Sequence, residues 1–330
     1  MATTFPAPLE APATAPTRLD DAGADAEAGA VTEVGTVRAH TGVVSRLVTL
    51  VAMLVPPVGL VVALVQLWGS GVHAVDVALL VALYVAGGLG VTVGFHRLFS
   101  HRAFVAGPPV RAALAVLGSI TLQGPVTQWV TDHRKHHAFS DRPGDPHSPH
   151  TSGGGARGAL VGFFHAHVGW MFVTKGMERG EIYGRDLYAD RLIRTIDRLY
   201  LVWVAVSLLV PFGVGWLVRG TVGGAVEALV WGGLLRIFLF HHATFCVNSV
   251  CHLFGRRPYE TRDRSRNNWF VALLTFGEGW HNNHHGFPRS ARLGLTGAQL
   301  DPGWWLVRGL ERAGLAAGVR TPRPGGARVS

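Results

Sequence analysis

The sequence predicts an all-α integral membrane protein, in which four transmembrane helices carry a helical cap with a histidine-rich metal site. Three observations lead to this fold class. Hydrophobic residues make up 48% of the 330-residue chain and charged residues only 15%, several apolar stretches are long enough to span a bilayer, and the 17 histidines are clustered. A soluble domain usually carries about 25% charged residues. We therefore expect part of this chain's surface to contact membrane lipid.

The net charge of +9 limits the partners of the chain. A basic balance favours nucleic acid, anionic lipid head groups or an acidic substrate. No basic run is interleaved with aromatic residues as in a nucleic-acid groove, so we expect contact with membrane lipid and no nucleic acid partner. Cys246 and Cys251 are the only cysteines, too few for a disulfide framework or for an iron–sulfur cluster held by four thiolates.

Composition divides the chain into a membrane domain, residues 41–317, between two tails. Residues 1–40 are rich in Ala, Pro, Thr, Asp and Glu and lack the charged start and apolar core of a secretory signal. This composition predicts a disordered cytoplasmic tail. We expect the last residues, 318–330, to be disordered as well.

Four apolar stretches can cross the hydrocarbon core, which takes roughly 20 helical residues. They are residues 47–68, 74–95, 197–218 and 222–245. Prolines fall inside the first and third, where kinks are tolerated better than in soluble helices. A further apolar stretch, 109–123, is shorter and interrupted, so we expect it at the membrane interface or in a shallow dip.

The positions of Arg and Lys predict the orientation in the membrane. The links at 69–73 and 219–221 contain a single basic residue, whereas the segment 96–196 and the region after the fourth span carry most of the others. Basic residues favour the cytoplasmic side of the inner or plasma membrane. We therefore expect both termini and every histidine cluster on that side.

Three histidine clusters follow the spans. They are His96 with His101, His133 with His136 and His137, and His281 with His284 and His285. Positions i, i+3 and i+4 share one face of a helix, so each HxxHH triplet is predicted to point three imidazoles in one direction. The first pair, five residues apart, converges only if its helix ends or distorts between the two members.

Asn248 and His252, four residues apart beyond the fourth span, form a further polar pair. Nine histidines exceed what one ion can hold and suit two ions with four or five ligands each. Imidazole binds iron, copper, zinc and nickel, so the spacing alone leaves the metal open. Isolated histidines such as His73, His147 and His150 are more often helix caps or packed core groups than ligands.

These clusters, in this order, resemble the histidine boxes of the membrane fatty-acid desaturases, specifically the acyl-CoA (stearoyl-CoA-like) branch in its bacterial form. The motif at 94–101 is similar to the first box, that at 132–141 to the second, and that at 277–288 to the third. The segment 248–252 resembles the one that supplies an additional histidine and a water-holding asparagine. The resemblance extends from about residue 45 to 310.

The resemblance implies a site with two iron ions and nine histidine ligands, with Asn248 acting on iron through water. The implied ligands are His96, His101, His133, His136, His137, His252, His281, His284 and His285. It further implies an enzyme that uses O2 and two electrons to insert a cis double bond into a long-chain saturated acyl-CoA. The ninth carbon is the usual position in the family.

Residues beside the boxes have supporting roles in this interpretation. Ligating imidazoles generally donate their free N–H to an acceptor, and Asp132, Asp141 and Glu278 are the candidates for it. His167 is expected to lie next to the ligands rather than among them.

Two positions that help hold the coenzyme A phosphates in the animal enzymes are Thr131 and Thr174 here. Lys175 is retained and Arg134 lies in the second box, so these two basic residues are the candidates for contact with the substrate's phosphates. The acyl carrier stays open among coenzyme A, acyl carrier protein and an intact lipid.

Rival interpretations share some of these features. An acyl-lipid desaturase, a lipid or alkane hydroxylase and a carotenoid ketolase would have a similar metal site and differ in the substrate or product, although the segments 248–252 and 277–282 favour desaturation. A metal transporter would need polar residues deep inside several spans. The first and third spans contain no Asp, Glu or His near mid-membrane, and Asp76 and Glu227 lie near an end of the second and fourth spans.

The electrons must come from outside the chain. The sequence contains no dinucleotide-binding fingerprint and no haem-binding or iron–sulfur domain. We therefore expect an external donor of the ferredoxin or flavin-reductase type. Acyl chain length, double-bond position and oligomeric state stay open.

Overall fold

The computed structural model describes residues 43–69, 71–173 and 180–322. Within these ranges the regular secondary structure is almost entirely helical, as predicted. The exception is a two-residue antiparallel pairing of β1 (Val105–Ala106) with β2 (Ala316–Ala317). The predicted N-terminal tail, the end of the C-terminal tail and Lys175 lie outside the described residues.

Short linkers and three π-helical segments connect the helices. In chain order they are α1 (Val43–Gly69), α2 (Ala74–Leu89), α3 (Pro108–Ser119), α4 (Val126–Phe139), α5 (Gly155–Phe164), α6 (Trp170–Val173), α7 (Gly180–Tyr183), α8 (Arg185–Ala189), α9 (Arg191–Arg198), α10 (Tyr200–Arg219), α11 (Val222–Ala228), α12 (Arg236–Asn248), α13 (Val250–Leu253), α14 (Trp269–Leu274), α15 (His281–Gly286) and α16 (Pro302–Arg312). The π-helical segments are Gly90–Ser100, His165–Gly169 and Leu229–Leu235.

Four helical stretches of the described chain are long and apolar enough to cross a membrane, which confirms the predicted number. They are Thr49–Gly69, Ala74–Ser100, Tyr200–Arg219 and Val222–Leu253. The second and fourth, at 27 and 32 residues, run past the ends predicted from hydropathy. Both continue because their polar last turns are buried inside the protein rather than exposed to solvent.

The four candidate spans differ in how much protein surrounds them. Only 17% of the apolar window is buried in the first and third spans, against 50% in the fourth. Valines and leucines such as Val58, Val65 and Leu201 are exposed along the outer two. The first and third spans therefore lie at the periphery, where lipid covers their apolar side chains, and the fourth lies at the centre.

The second span ends in the π-helix Gly90–Ser100, in which every residue is buried. It packs closely on α3, because a Cβ atom at Gly90 would lie 2.2 Å from the Gly118 nitrogen. The stretch predicted at the membrane interface is thus the helix that buttresses the second span. An apolar core beneath it includes Phe95, Phe104 and Ile193.

The described chain continues past the predicted end of the membrane domain at residue 317. The Arg320 N–H donates to the Ala103 carbonyl oxygen at 2.9 Å, and the Arg320 carbonyl oxygen accepts from the Ala291 N–H at 2.8 Å. These bonds hold residues near 320 against the segments that follow the first and third histidine clusters.

Candidate metal centre

All nine histidines singled out in the sequence come together in two groups beside the ends of the second and fourth spans. The first group contains His96, His101, His133, His137 and His284, and the second contains His136, His252, His281 and His285. One ring nitrogen of each residue lies within 4.8 Å of those of the rest of its group. The arrangement suits two cations with five and four imidazole ligands.

A π-helix brings the first pair together. A π-helix is hydrogen-bonded from i to i+5, and the His101 N–H donates to the His96 carbonyl oxygen at 3.1 Å. The two imidazole centroids are consequently only 4.8 Å apart. The distortion that the five-residue spacing requires is therefore present in the structure.

Each HxxHH triplet divides between the two groups instead of pointing in one direction. Neighbouring helix positions differ by about 100° around the axis, so His136 and His137 of α4 diverge to opposite sides of the triplet. His284 and His285 of α15 diverge in the same way. Two triplets facing each other thus supply ligands to both sites, and this corrects the prediction of a single direction.

The facing nitrogens of the first group fit a cation. His284 Nε2 lies 3.1 Å from His96 Nε2 and 2.8 Å from His137 Nε2. The other nitrogen of His96, Nδ1, lies 2.5 Å from the Glu278 carboxylate. Nε2 is therefore the nitrogen of His96 that faces its neighbours, an arrangement that suits a shared cation.

In the second group, three of the four histidines have a carboxylate beside their Nδ1 atom. The Nδ1 atoms of His136, His252 and His285 lie 3.0, 2.8 and 2.7 Å from the carboxylates of Asp145, Asp141 and Asp263. Among the described residues, the buried Nε2 atoms of His136 and His285 have no hydrogen-bond partner. Carboxylate at Nδ1 with Nε2 free is the usual arrangement around metal-binding histidine.

Two of these carboxylates, Asp141 and Glu278, are residues for which the sequence predicted this supporting role. Asp145 and Asp263 were missed. Asp145 belongs to an Asp-Pro-His sequence four residues after the second box, so a signal existed. Asp263 lies 22 residues before its partner in a loop, and nothing in its sequence context points to the site.

Burial and neighbouring charges shift the pKa values of the imidazoles that could bind a metal ion. Burial and the neighbouring histidines hold the pKa of His133 and His284 well below the usual value, so both rings are neutral. Burial also lowers the pKa of His136, but the Asp145 carboxylate outweighs it and raises that pKa overall. The same contact lowers the pKa of Asp145 to about 2. A metal ion at His136 Nε2 would displace a proton, as metal binding to histidine does.

Two narrow apolar cavities adjoin the histidines. The first, about 60 Å³, reaches Met53, Met171 and Phe245, and the second, about 40 Å³, reaches Gly88 and Phe240. Both cavities are lined by Trp129, His133, Thr244 and Asn248. These four residues place the two cavities next to each other beside the histidine groups.

The other predicted site residues lie around this centre. Asp132 is buried and lines the first cavity beside His133. His167 contacts Ser249 Oγ and His242 Nδ1, each at 3.0 Å. His147, which the sequence left among the isolated histidines, is buried and stacks on His136 with ring centroids 4.4 Å apart.

Arg134, a predicted phosphate contact, has its donors engaged within the protein. Its guanidinium pairs with Asp186 at 2.6 Å and donates to the carbonyl oxygens of Phe99, Ser100 and Tyr183. These bonds tie α4 to the end of the second span and to α7. The contacts assign Arg134 a structural role in this conformation.

The carboxylate contacts predict how strongly the protein retains the metal when one of them is weakened. In Asp145→Asn, the acceptor that orients His136 is weakened and the ligand becomes less basic, so we expect the affinity for the metal to fall about 10–100-fold. Competition with a chelator of known affinity measures it. Glu311→Gln, in a surface ion pair remote from the histidines, is the control, and equal retention in both variants would contradict the role of Asp145.

Comparison with known proteins agrees with this geometry. The family model described as fatty acid desaturase matches residues 72–296. The hex-5-enoyl-[acyl-carrier protein] acetylenase of Moorena producens (strain JHB) is 42% identical over 270 residues, which are 81% of this chain and 84% of that protein. The sn-1 stearoyl-lipid 9-desaturase of Anabaena variabilis is 37% identical over 250 residues, 75% of this chain and 84% of that protein.

A third relative, the icosanoyl-CoA 5-desaturase of Limnanthes douglasii, is 38% identical over 245 residues, which are 72% of this chain and 63% of that protein. The three relatives differ in the acyl carrier that their names give. The family match covers the second to fourth candidate spans and all nine clustered histidines. The chain belongs to the fatty acid desaturase family.

Proposed function

We propose that this chain is a di-iron desaturase that inserts a cis double bond at the ninth carbon of a long-chain saturated acyl-CoA. One observation carries the proposal: two groups of inward-facing imidazoles lie against apolar cavities that share four lining residues. Two hydrogens and their electrons leave the acyl chain, and two more electrons and two protons come from outside. Together they reduce O2 to two molecules of water.

The nine histidines would hold the two iron ions, which supply the oxidising power that an unactivated methylene group requires. The protein itself would position the acyl chain and keep water away from the metal ions. Trp129 stacks on the His133 ring with centroids 5.1 Å apart, and Gln123 bridges the Trp129 indole and the Thr244 hydroxyl. These bonds fix the wall against which the reacting carbons would lie.

Asn248 lies between the two cavities and lines both. Its amide can donate to and accept from water, and the family resemblance assigns it a water-mediated contact with iron. The apolar residues Phe245 and Val247 line the first and second cavity beside it. The amide therefore provides a polar contact beside the histidines, at the position that both cavities share.

The carrier and the position of the double bond rest on analogy with the relatives. The names of two relatives give coenzyme A as a carrier and the ninth carbon as a position, although no single one of the three gives both. An intact lipid is the second candidate, and a specific observation favours it. The first cavity reaches Met53 on the peripheral first span, so an acyl chain could enter directly from the bilayer.

Product analysis tests the function. A host that expresses the wild-type chain should accumulate monounsaturated fatty acids absent from the host alone, with the double bond located by gas chromatography and mass spectrometry. His137→Ala, which removes one member of the first group, should produce none. Hydroxylated chains from an iron-loaded protein would instead support the hydroxylase alternative.

An assay with purified protein distinguishes the possible acyl carriers. In purified protein supplied with one substrate at a time, acyl-CoA should be converted and acyl carrier protein or phospholipid esters should not. Conversion of the phospholipid ester alone would replace the first candidate by the second.

A further inference from the structure

A second, open cleft reaches the metal centre through a different set of residues. Its volume is about 700 Å³, and His101, His137 and His285 lie in its lining. Four arginines also line it: Arg102, Arg134, Arg262 and Arg289. We call it the arginine cleft. It shares no lining residue with either apolar cavity, so histidines of both groups border a space that the acyl chain does not need.

The charge at the mouth of the arginine cleft is positive and available. Arg102 and Arg134 are paired with Asp186 at 2.7 and 2.6 Å. Arg262 and Arg289 are exposed and form no ion pair within the described part of the chain. Glu260 and Asp263 also line the cleft, and Asp263 lies 2.7 Å from His285, so the four arginines outnumber the acidic residues of the lining by two to one.

We propose that the arginine cleft is the docking surface for a small acidic electron-carrier protein of the ferredoxin type. The inference rests on the proposed function, which needs two electrons from outside the chain. Each docking event transfers one electron from the reduced carrier towards the metal centre, and the carrier leaves oxidised. Two events supply the two electrons, and two protons follow from solvent.

Two features favour an electron carrier over an acyl carrier protein, which is also acidic. Imidazole rings from both histidine groups line the cleft, so an electron carrier docked there would lie beside residues that would hold the metal ions. The cleft shares no lining residue with the apolar cavities, so it is separate from the space that would take an acyl chain. A basic rim also steers an acidic protein and speeds its association at low salt.

Charge reversal at the rim tests the proposal. The variant Arg262→Glu/Arg289→Glu is compared with Arg191→Glu/Arg312→Glu, which makes the same charge change at exposed positions outside the cleft. The probe is a purified plant-type [2Fe–2S] ferredoxin with its NADPH-dependent reductase, acting on the full-length protein in lipid nanodiscs. A parallel single-turnover assay uses chemical reduction with dithionite and methyl viologen.

We expect the KM for ferredoxin to rise about tenfold or more in the cleft variant, with kcat at saturating ferredoxin and the chemically reduced single turnover unchanged. The control should stay within twofold of the wild type. Added KCl should raise the KM of the wild type more than that of the cleft variant, because salt screens the rim.

Four results would overturn the docking assignment: an unchanged KM for ferredoxin, a raised KM for the acyl substrate instead, a loss of the chemically driven turnover in the cleft variant, or no ferredoxin-driven turnover by a wild type that is active after chemical reduction. A wild type that forms no unsaturated product after chemical reduction would instead refute the proposed function. The two failures are therefore distinguishable.

Discussion

His284→Ala and His285→Ala should each lower the iron content from about two ions to about one per chain and reduce product formation by at least ~10³-fold. The two residues are neighbours on α15 but belong to different groups, so each substitution removes a ligand from a different site. Because both ions act as one unit, the double variant should be scarcely less active than either single variant. Metal analysis of purified protein and product quantification measure the two effects.

His73→Ala is the matched control for these substitutions. His73 lies in another cluster of possible ligands, with Asp76 and Glu227, where the first link joins the second span, and its side chain is 52% exposed. We expect its iron content and product yield to equal those of the wild type. Loss of both ions in His284→Ala with none lost in His285→Ala would contradict the division of α15 between two sites.

Hydropathy and spacing were enough to predict the four spans and the nine histidines that converge. Hydropathy placed the end of the second span too early, because it treats the polar residues after 95 as exposed to solvent. In the structure Arg97 and Ser100 are buried and hydrogen-bonded within the protein, so the helix continues. A hydropathy window contains no information about such internal partners.

The sequence did not predict that each triplet divides between two sites. It also did not identify two of the carboxylate partners, Asp145 and Asp263. His136 and His137 share a broad helix face, and only the position of the facing helix α15 decides which site each one joins. Asp263 reaches His285 because the loop 256–266 folds back over the third cluster. Such long-range packing leaves no periodic signal, whereas the local i, i+3, i+4 spacing does.

Arg97→Met should destabilise the protein by about 3–5 kcal/mol, because it leaves a buried carboxylate without its partner. The side chains of Arg97 and Asp301 are only 1% and 2% exposed and lie 2.8 Å apart. Arg97 also donates to the Ala291 and Phe276 carbonyl oxygens. Denaturant unfolding in detergent micelles measures the loss, with Arg308→Met as the control on α16. The Arg308 pair with Glu311 is partly exposed, so we expect at most about 1 kcal/mol there.

A double variant separates the cost of the unpaired charge from the loss of the other bonds. Asp301 also accepts from the backbone N–H groups of Leu293 and Trp304, at 2.7 and 2.9 Å and on different carboxylate oxygens, so an Asn side chain keeps an acceptor for one of them without the charge. Arg97→Met/Asp301→Asn should therefore be less destabilised than the sum of the single variants by at least ~1 kcal/mol. Strict additivity would show that the pair contributes through its separate backbone contacts. Since Arg97 anchors Phe276 beside Glu278, which orients His96, we expect the single variant to lose iron more readily as well.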